Sequence, residues 1–334
     1  MRHLITVVFI VLFIGIGCDK QDNSEQIIYQ VPTAVDLGLS CLWADCNVGA
    51  ISPEQFGGYY AWGELDSKDY YLLENYRFTL PGSTYEDQRF SKYVLIEEHG
   101  TVDNRRQLEK DDDIAHVKFG EGWRLPTFGE WQELAVNCVW TEVTRGKIKG
   151  CEVKSKINGN SIFLPLAGSR YGHDLGGGDG RNGYYWSSTL ATSLISEDVD
   201  EPWYWAFPTH AGGEKPSYFF YCSNGLGGRH YGLPIRPVFS DNPGLIGPEK
   251  LTLSHNHLEL RVGETFHLKA TVEPVDSFDK EVIWESTNPS LLAVDNQGNL
   301  TAIKASKSGE SPEIAATLQS NPGALDICSV YIHD

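Results

Sequence analysis

From Leu251 onward, apolar residues alternate with polar ones. Leu251, Leu253, Leu258, Leu260 and Val262 are followed by Phe266, Leu268, Ala270 and Val272. Period-two runs broken by turn residues predict half-buried strands of an antiparallel sheet. The stretch VIWESTNPSLLAVDNQGNLTAI extends the pattern, with NQGN as a turn between Val294 and Leu300 and Trp284 as a buried anchor. Many short strands around one tryptophan predict an all-β sandwich.

Upstream the period changes. Trp131, Leu134, Ala135 and Cys138 recur at i, i+3, i+4 and i+7, which places them on one face of a helix. Thr127 and Glu130 form T-x-x-E at its start, a capping box, and Pro126 with Trp131 fits a hydrophobic staple at the entry. The stretch GEGWRLPTFGEWQEL, Gly120 to Leu134, therefore reads as scaffold, with Arg124 and Glu133 forming ion pairs rather than acting in catalysis. Further on, Val153, Ser155 and Ile157 precede Asn158-Gly159, and Ile162 and Leu164 follow. Asn-Gly between two such runs predicts a tight hairpin.

The N-terminus has another character. Arg2 and His3 precede an apolar run from Leu4 to Ile16, too short to span a bilayer as a helix, and the chain then reads GIGCDK. That layout predicts a secretory signal over residues 1–17, and polar residues 18–30 read as a flexible tether. A second break, SDNPGLIGPEK, is rich in proline and glycine and reads as a linker over 242–249. One domain is thus expected over 31–241 and another over 250–334.

Charge narrows the partners. The chain of 334 residues carries 27 lysines and arginines against 45 aspartates and glutamates, a formal net charge of −18. Nucleic acid demands a basic surface, so it is excluded as a partner, and no basic patch is available to hold a membrane. Besides Cys18, six cysteines (Cys41, Cys46, Cys138, Cys151, Cys222 and Cys328) fall in an expected oxidising compartment. With Cys328 in the second domain, an odd number remains in the first, so at least one thiol there is free. No C-x-x-C pair supports a redox motif or zinc ribbon.

Candidate chemistry is sparse. Asp111, Asp112 and Asp113 are consecutive, so their side chains diverge where calcium needs convergent oxygens, and helix capping is the expected role. His255 and His257 would share a strand face but lack a third ligand. The glycine-rich SRYGHDLGGGDGRNG is neither a phosphate loop nor a dinucleotide fingerprint, and neither H-E-x-x-H nor G-x-S-x-G occurs. No catalytic residue, metal site or cofactor is expected. The remaining candidates are Trp203, Tyr204 and Trp205 in DVDEPWYWAFPTH, with Tyr171, His173, Asp174, Asp179 and Arg181 in the glycine-rich loop. Aromatic planes beside polar groups suit the faces and hydroxyls of sugars. Alternation along a strand would put Tyr204 and Ala206 on one face and Trp203 and Trp205 on the other.

Several blocks carry family resemblances. Gly17-Cys18 resembles the lipobox of bacterial lipoproteins, although Gly15 stands where that motif has Leu, Val or Ile. It implies lipidation of Cys18, with the lipid as the membrane contact. The ordered set VDLGLSCLWADCNVGA, GGYYAWGE, GWRLPTFGEWQEL, NGNSIFLPLAG, YYWSST and IRPV, from Val35 to Val238, resembles the FISUMP-type domain of bacterial surface proteins. That resemblance implies a C-type-lectin-like α+β fold. The segment from Lys250 to Lys304 resembles the bacterial Ig-like domain of group 2, implying a C-terminal all-β Ig-like sandwich.

The RLPT…EW block is also similar to one in formylglycine-generating enzymes. Their paired cysteines are reduced here to Cys222 alone, which weighs against that oxidase chemistry. Glu201-Pro202-Trp203 departs from the Glu-Pro-Asn of calcium-dependent lectins, so the lectin metal site is not implied. The expectation is a non-catalytic, surface-exposed outer-membrane lipoprotein of a Gram-negative envelope that binds glycan or protein. The alternative is a structural component of a surface or fimbria-like assembly.

Overall fold

The computed structural model describes residues 29–176, 181–190, 202–208, 219–221, 228–241, 244–248, 250–275, 277–307, 311–321 and 324–334; for 175–176, 203–208 and 219–221 only the backbone is described. Cys18, Asp179 and Cys222 lie outside these residues. The described chain is mostly β, with two short helices, α1 (Ile114–Phe119) and α2 (Phe128–Asn137).

The first region is closed by strands drawn from its two ends and its middle. One sheet runs in the order Ala34–Val35, Leu42–Ala44, Val238–Phe239, Trp123–Arg124. A second pairs Cys138–Arg145, Ile148–Ser155 and Ser161–Pro165, and a third places Pro202–Pro208 between Phe219–Tyr221 and Asn182–Leu190. Two buried clusters fill the interior. One gathers Trp62, Tyr60, Tyr93 and Trp186, the other Trp43, Trp131, Leu164 and Tyr185. Trp43 and Trp131 meet edge to face at 4.7 Å, a favoured arrangement of ring quadrupoles.

Arg236 ties these parts together. Fully buried, it donates from Nε to Asn47 Oδ1 at 2.8 Å, from Nη1 to the carbonyls of Ala44 and Asp45 at 3.0 and 2.9 Å, and from Nη2 to the Phe163 carbonyl at 2.9 Å. Indole donors do the same between other blocks. Trp62 Nε1 donates to the Ser187 carbonyl and Trp186 Nε1 to the Tyr60 carbonyl, both at 2.8 Å.

The C-terminal region has its own core. Leu251, Leu258, Leu260, Leu292, Leu300, Ile314, Val330 and Ile332 are buried together, contributed by sheets of two, four and three strands. The alternation reads as expected at Lys250–Leu253 and His257–Arg261, where the even-numbered or odd-numbered leucines turn inward together. One pairing differs from the antiparallel expectation. His257–Arg261 lies parallel to Leu325–His333, which is possible because nearly the whole region intervenes as the crossover. Trp284 is half-buried at the edge of this core. His255 precedes the strand that begins at His257, so the two imidazoles do not share a strand face; His255 meets the Phe266 ring at 5.1 Å, and His257 pairs with Ser329 Oγ at 2.9 Å.

The five described cysteines other than Cys18 and Cys222 are all buried and unpaired. No helix among the described residues is long and apolar enough to cross a membrane.

Candidate functional site

The tryptophan-rich motif divides into two parts. From Thr127 on it is a helix start. Thr127 Oγ1 accepts the Glu130 N–H at 3.2 Å and Glu130 Oε2 accepts the Thr127 N–H at 2.8 Å, the reciprocal pair of a capping box. Glu130 also binds Arg124 in a two-point pair, Nη1 to Oε2 at 2.7 Å and Nη2 to Oε1 at 2.5 Å. Arg124 thus pairs with Glu130, while Glu133 accepts the Ser40 hydroxyl at 2.7 Å. Helix α2 ends at Asn137, and Cys138 begins the next strand while still facing the core.

The earlier half, Glu121 to Leu125, lines a cleft of about 230 Å³ with Lys110, Asp113 and His116. Most of its charged groups are already engaged. Lys110 Nζ meets Glu121 Oε2 at 2.8 Å. Asp113 caps α1 by accepting the N–H groups of Ala115 and His116 at 2.9 and 3.2 Å, and its other oxygen accepts the Leu125 N–H at 2.7 Å. Burial pushes its pKa up to about 6 against the lowering effect of those donors. Asp112 is held by Arg77, Lys92 and the Tyr93 hydroxyl. Burial raises its pKa, but these partners outweigh it and keep the carboxyl below its ordinary value. The aspartate run is therefore structural, with one residue capping and one pairing.

A different face gathers exposed aromatic side chains. Ser169–Tyr171 and Asp174–Gly176 form a two-stranded hairpin turning at Gly172 and His173, where Gly172 has φ +57°. The hairpin is pinned on both sides. Tyr71 and Gly172 exchange backbone hydrogen bonds at 2.9 and 2.8 Å, and Arg170 and Gly232 do so at 2.7 and 3.0 Å. A side chain at Gly232 would strike the Tyr71 ring at 2.7 Å, so the approach requires glycine.

This frame sets Tyr171 parallel to Tyr231 at 4.8 Å and 21°, and His173 against Tyr70 at 5.3 Å. The Tyr85 hydroxyl accepts the Leu73 N–H at 3.3 Å. Tyr70, Tyr85 and Tyr171 keep 39%, 49% and 41% of their surface exposed. Isolated exposed apolar residues are ordinary, but three rings from three segments converging on one face are not. Beneath them His230 is 3% exposed, with Tyr85, Tyr171 and Tyr231 around it at 5.7, 6.1 and 5.0 Å. Among the described residues, neither ring nitrogen has a hydrogen-bond partner. Burial, then the charge of Lys68, lowers its pKa to about 4, so the imidazole is neutral at physiological pH.

Of the residues singled out in the sequence, Tyr171 and His173 belong to this cluster. Asp174 stands across the hairpin from Tyr171, exposed, and Arg181 is exposed beyond it. Trp203, Tyr204 and Trp205 lie in the middle strand of a sheet, where Tyr204 faces Trp186 and Tyr221, and Trp205 faces Tyr185 and Phe220, in register. Their side chains lie outside the described residues. The sequence reading missed Tyr70, Tyr85, His230 and Tyr231. The signal for Tyr70, His230 and Tyr231 was the aromatic content of DYYLLENY and RHYG, short polar or glycine-bearing loops with no apolar period, and Tyr85 stands as a single ring in the polar stretch GSTYEDQ. Among the described residues, no three His, Cys, Asp or Glu side chains converge as a metal site.

Residues 249–324 match the bacterial Ig-like domain (group 2) family. This segment is an Ig-like domain. An uncharacterised protein of Clostridium acetobutylicum is 40% identical over 85 residues, covering 25% of this chain and 20% of that protein. A second from the same organism is 34% identical over 98 residues, covering 29% and 10%. The chain thus spans a fifth or less of these relatives. An uncharacterised Bacillus cereus protein is 22% identical over 99 residues, covering 30% of this chain and 74% of its own length.

Among solved structures, domains 4 and 5 of the S-layer protein SbsC align with 58% of this chain and 100% of their own, at 10% identity and a TM-score of 0.22. The extracellular cadherin domains 1–4 of protocadherin gamma B7 align with 60% of this chain and 59% of their own, at 12% identity and the same score. Similarity at that level defines no common fold. The described residues are mostly β with few helices, and residues 249–324 form an Ig-like domain.

Proposed function

We propose that this protein is a non-catalytic surface module that binds glycan or protein through the face carrying Tyr70, Tyr85, Tyr171 and His173. The observation that carries this reading is the convergence of these exposed rings on a hairpin whose backbone is bonded on both sides. Rigid aromatic surface contributes contact area at small entropic cost, and it stacks on sugar rings as readily as on apolar side chains. The Ig-like domain supports a surface or adhesion-type setting. The C-type-lectin-like reading of the first region, with its FISUMP resemblance, belongs to the same proposal, and so does contribution of Trp203 or Trp205 to the face. A structural part in a surface assembly is the second reading, favoured by the same Ig-like domain.

The chain would be anchored by lipid on Cys18 at the outer membrane. Cys18→Ser should then abolish metabolic fatty-acid labelling and release the protein from the membrane fraction; unchanged labelling would refute the anchor. Binding itself is tested by glycan-array and pull-down screens, with and without EDTA. Recognition that survives chelation and weakens in Tyr171→Ala, Trp203→Ala or Trp205→Ala supports metal-free stacking. Loss on chelation alone would point instead to a metal-dependent lectin mechanism, and turnover of a thiol-containing peptide would revive the formylglycine-generating reading.

A further inference from the structure

Residues 244–248, GLIGP, join the two regions and have the composition of a flexible connection. Their contacts are those of a fixed one. From the first region, Thr127 Oγ1 donates to the Leu245 carbonyl at 2.7 Å and Gln132 Nε2 donates to the Pro248 carbonyl at 3.1 Å. From the Ig-like domain, Asn321 Nδ2 donates to the same Pro248 carbonyl at 3.1 Å, and the Phe278 N–H donates to the Ile246 carbonyl at 2.9 Å. Gln132 and Asn321 are 0% and 3% exposed, so no bulk water stands ready to replace these bonds if the connection bends.

Glycines bring the chains close enough for this. A Cβ on Gly129, in the first turn of α2, would fall 2.5 Å from the Leu245 carbonyl oxygen, and one on Gly247 would fall 2.8 Å from Gly129 Cα. One on Gly244 would meet Thr127 Cγ2 at 2.1 Å. The backbone of the connection therefore lies directly against the backbone of α2.

We infer that residues 244–248 act as a splint, not a hinge, and hold the Ig-like domain at one angle to the first region. Relative motion is the ordinary behaviour of domains joined by a short polar connection. Here three of its residues oppose it: Leu245 is bonded from one side, Ile246 from the other, and Pro248 from both. A change of angle must break bonds made by buried donors. The capping residue Thr127 thereby has a second task, because its hydroxyl both receives the helix N–H and donates to the connection.

Pulsed dipolar spectroscopy on the full chain tests the inference. Lys147→Cys and Lys304→Cys, both at exposed positions, would carry nitroxide labels in a chain that also has Cys18→Ser and Cys222→Ser, while the buried thiols of the described chain are poorly accessible to the reagent. The expected result is a single narrow distance peak, lost when Gln132→Ala and Asn321→Ala are combined. A broad distribution with the connection unaltered overturns the inference. So does a narrow peak that persists in the double variant. Should circular dichroism show the double variant unfolded, Asn321→Asp, which turns a donor toward the carbonyl into an acceptor and leaves α2 untouched, is read in the same way.

Discussion

Arg236 and His230 are two buried bases that the sequence gives no means to interpret. Each is decided by partners far away in the chain: Arg236 by Asn47 and Phe163, His230 by Tyr85 and Tyr171. Thr127 and Asp113, by contrast, were legible because a cap is satisfied within three residues of itself. His230 and Asp113 also give the protein a testable pH behaviour. The folded pKa of His230 is lowered, so the unfolded chain binds the proton first, and stability is lost as pH falls from about 6.5 toward 4. Asp113 is raised to about 6, so its folded form takes the proton first, and stability is gained as pH falls from there toward 3.8.

The two effects oppose one another between pH 7 and 5. Asp103 and Asp112 stay out of this window. Burial raises both, yet their hydrogen-bond donors hold them below 3.8, so the stability they contribute is lost only at lower pH. Replacing His230 with phenylalanine should therefore remove a loss of about 2 kcal/mol on going from pH 7 to pH 5 and expose the opposite gain from Asp113. Urea unfolding of both proteins at the two pH values measures it. Equal changes in the wild type and His230→Phe would contradict the burial of a neutral, unpartnered imidazole.

Among the elements, α2 was read almost to its limits, and the signal was the agreement of cap and period. Its final turn was read one residue too far. Cys138 keeps the helical spacing but starts a strand, because it pairs with Ser155 and its neighbour Val139 pairs with Lys154. The hairpin after Ser155 was also foreseen, though its turn is longer than a two-residue Asn-Gly connection. Lys154 pairs with Ser161, the Ser155 N–H reaches the Asn160 carbonyl, and Gly159 takes φ +79°. Ile157 is consequently a turn residue and is 60% exposed. The parallel strand of the Ig-like domain was not legible, since alternation fixes which face is buried and leaves direction open.

Thr127→Ala tests the role given to the start of α2. It removes the cap, worth about 1 kcal/mol, and leaves the Leu245 carbonyl without its donor, for a combined loss of roughly 2 kcal/mol. Thr127→Ser keeps the hydroxyl and should recover most of that. Unaltered stability in Thr127→Ala would show that neither bond matters.

For the molecule as a whole, the six sequence blocks that resemble a known surface domain turn out to supply scaffold. They meet in the Arg236 cluster, in the sheet that joins Leu42–Ala44 to Val238–Phe239, and in the indole bonds of Trp62 and Trp186. The face proposed for binding is built largely from residues between those blocks. That is why the sequence located Tyr171 and His173 but not the tyrosines facing them: a contact surface made by loops has no period, and its members become neighbours only when the core closes. The most direct test is calorimetric titration of a glycan or protein ligand from the screens into wild type and Tyr171→Ala, with EDTA present and folding checked by circular dichroism. The account predicts full wild-type binding under chelation and an affinity at least about tenfold weaker in the folded variant, the loss of one anchoring ring. Equal affinity in the two proteins would contradict it and place recognition away from this face.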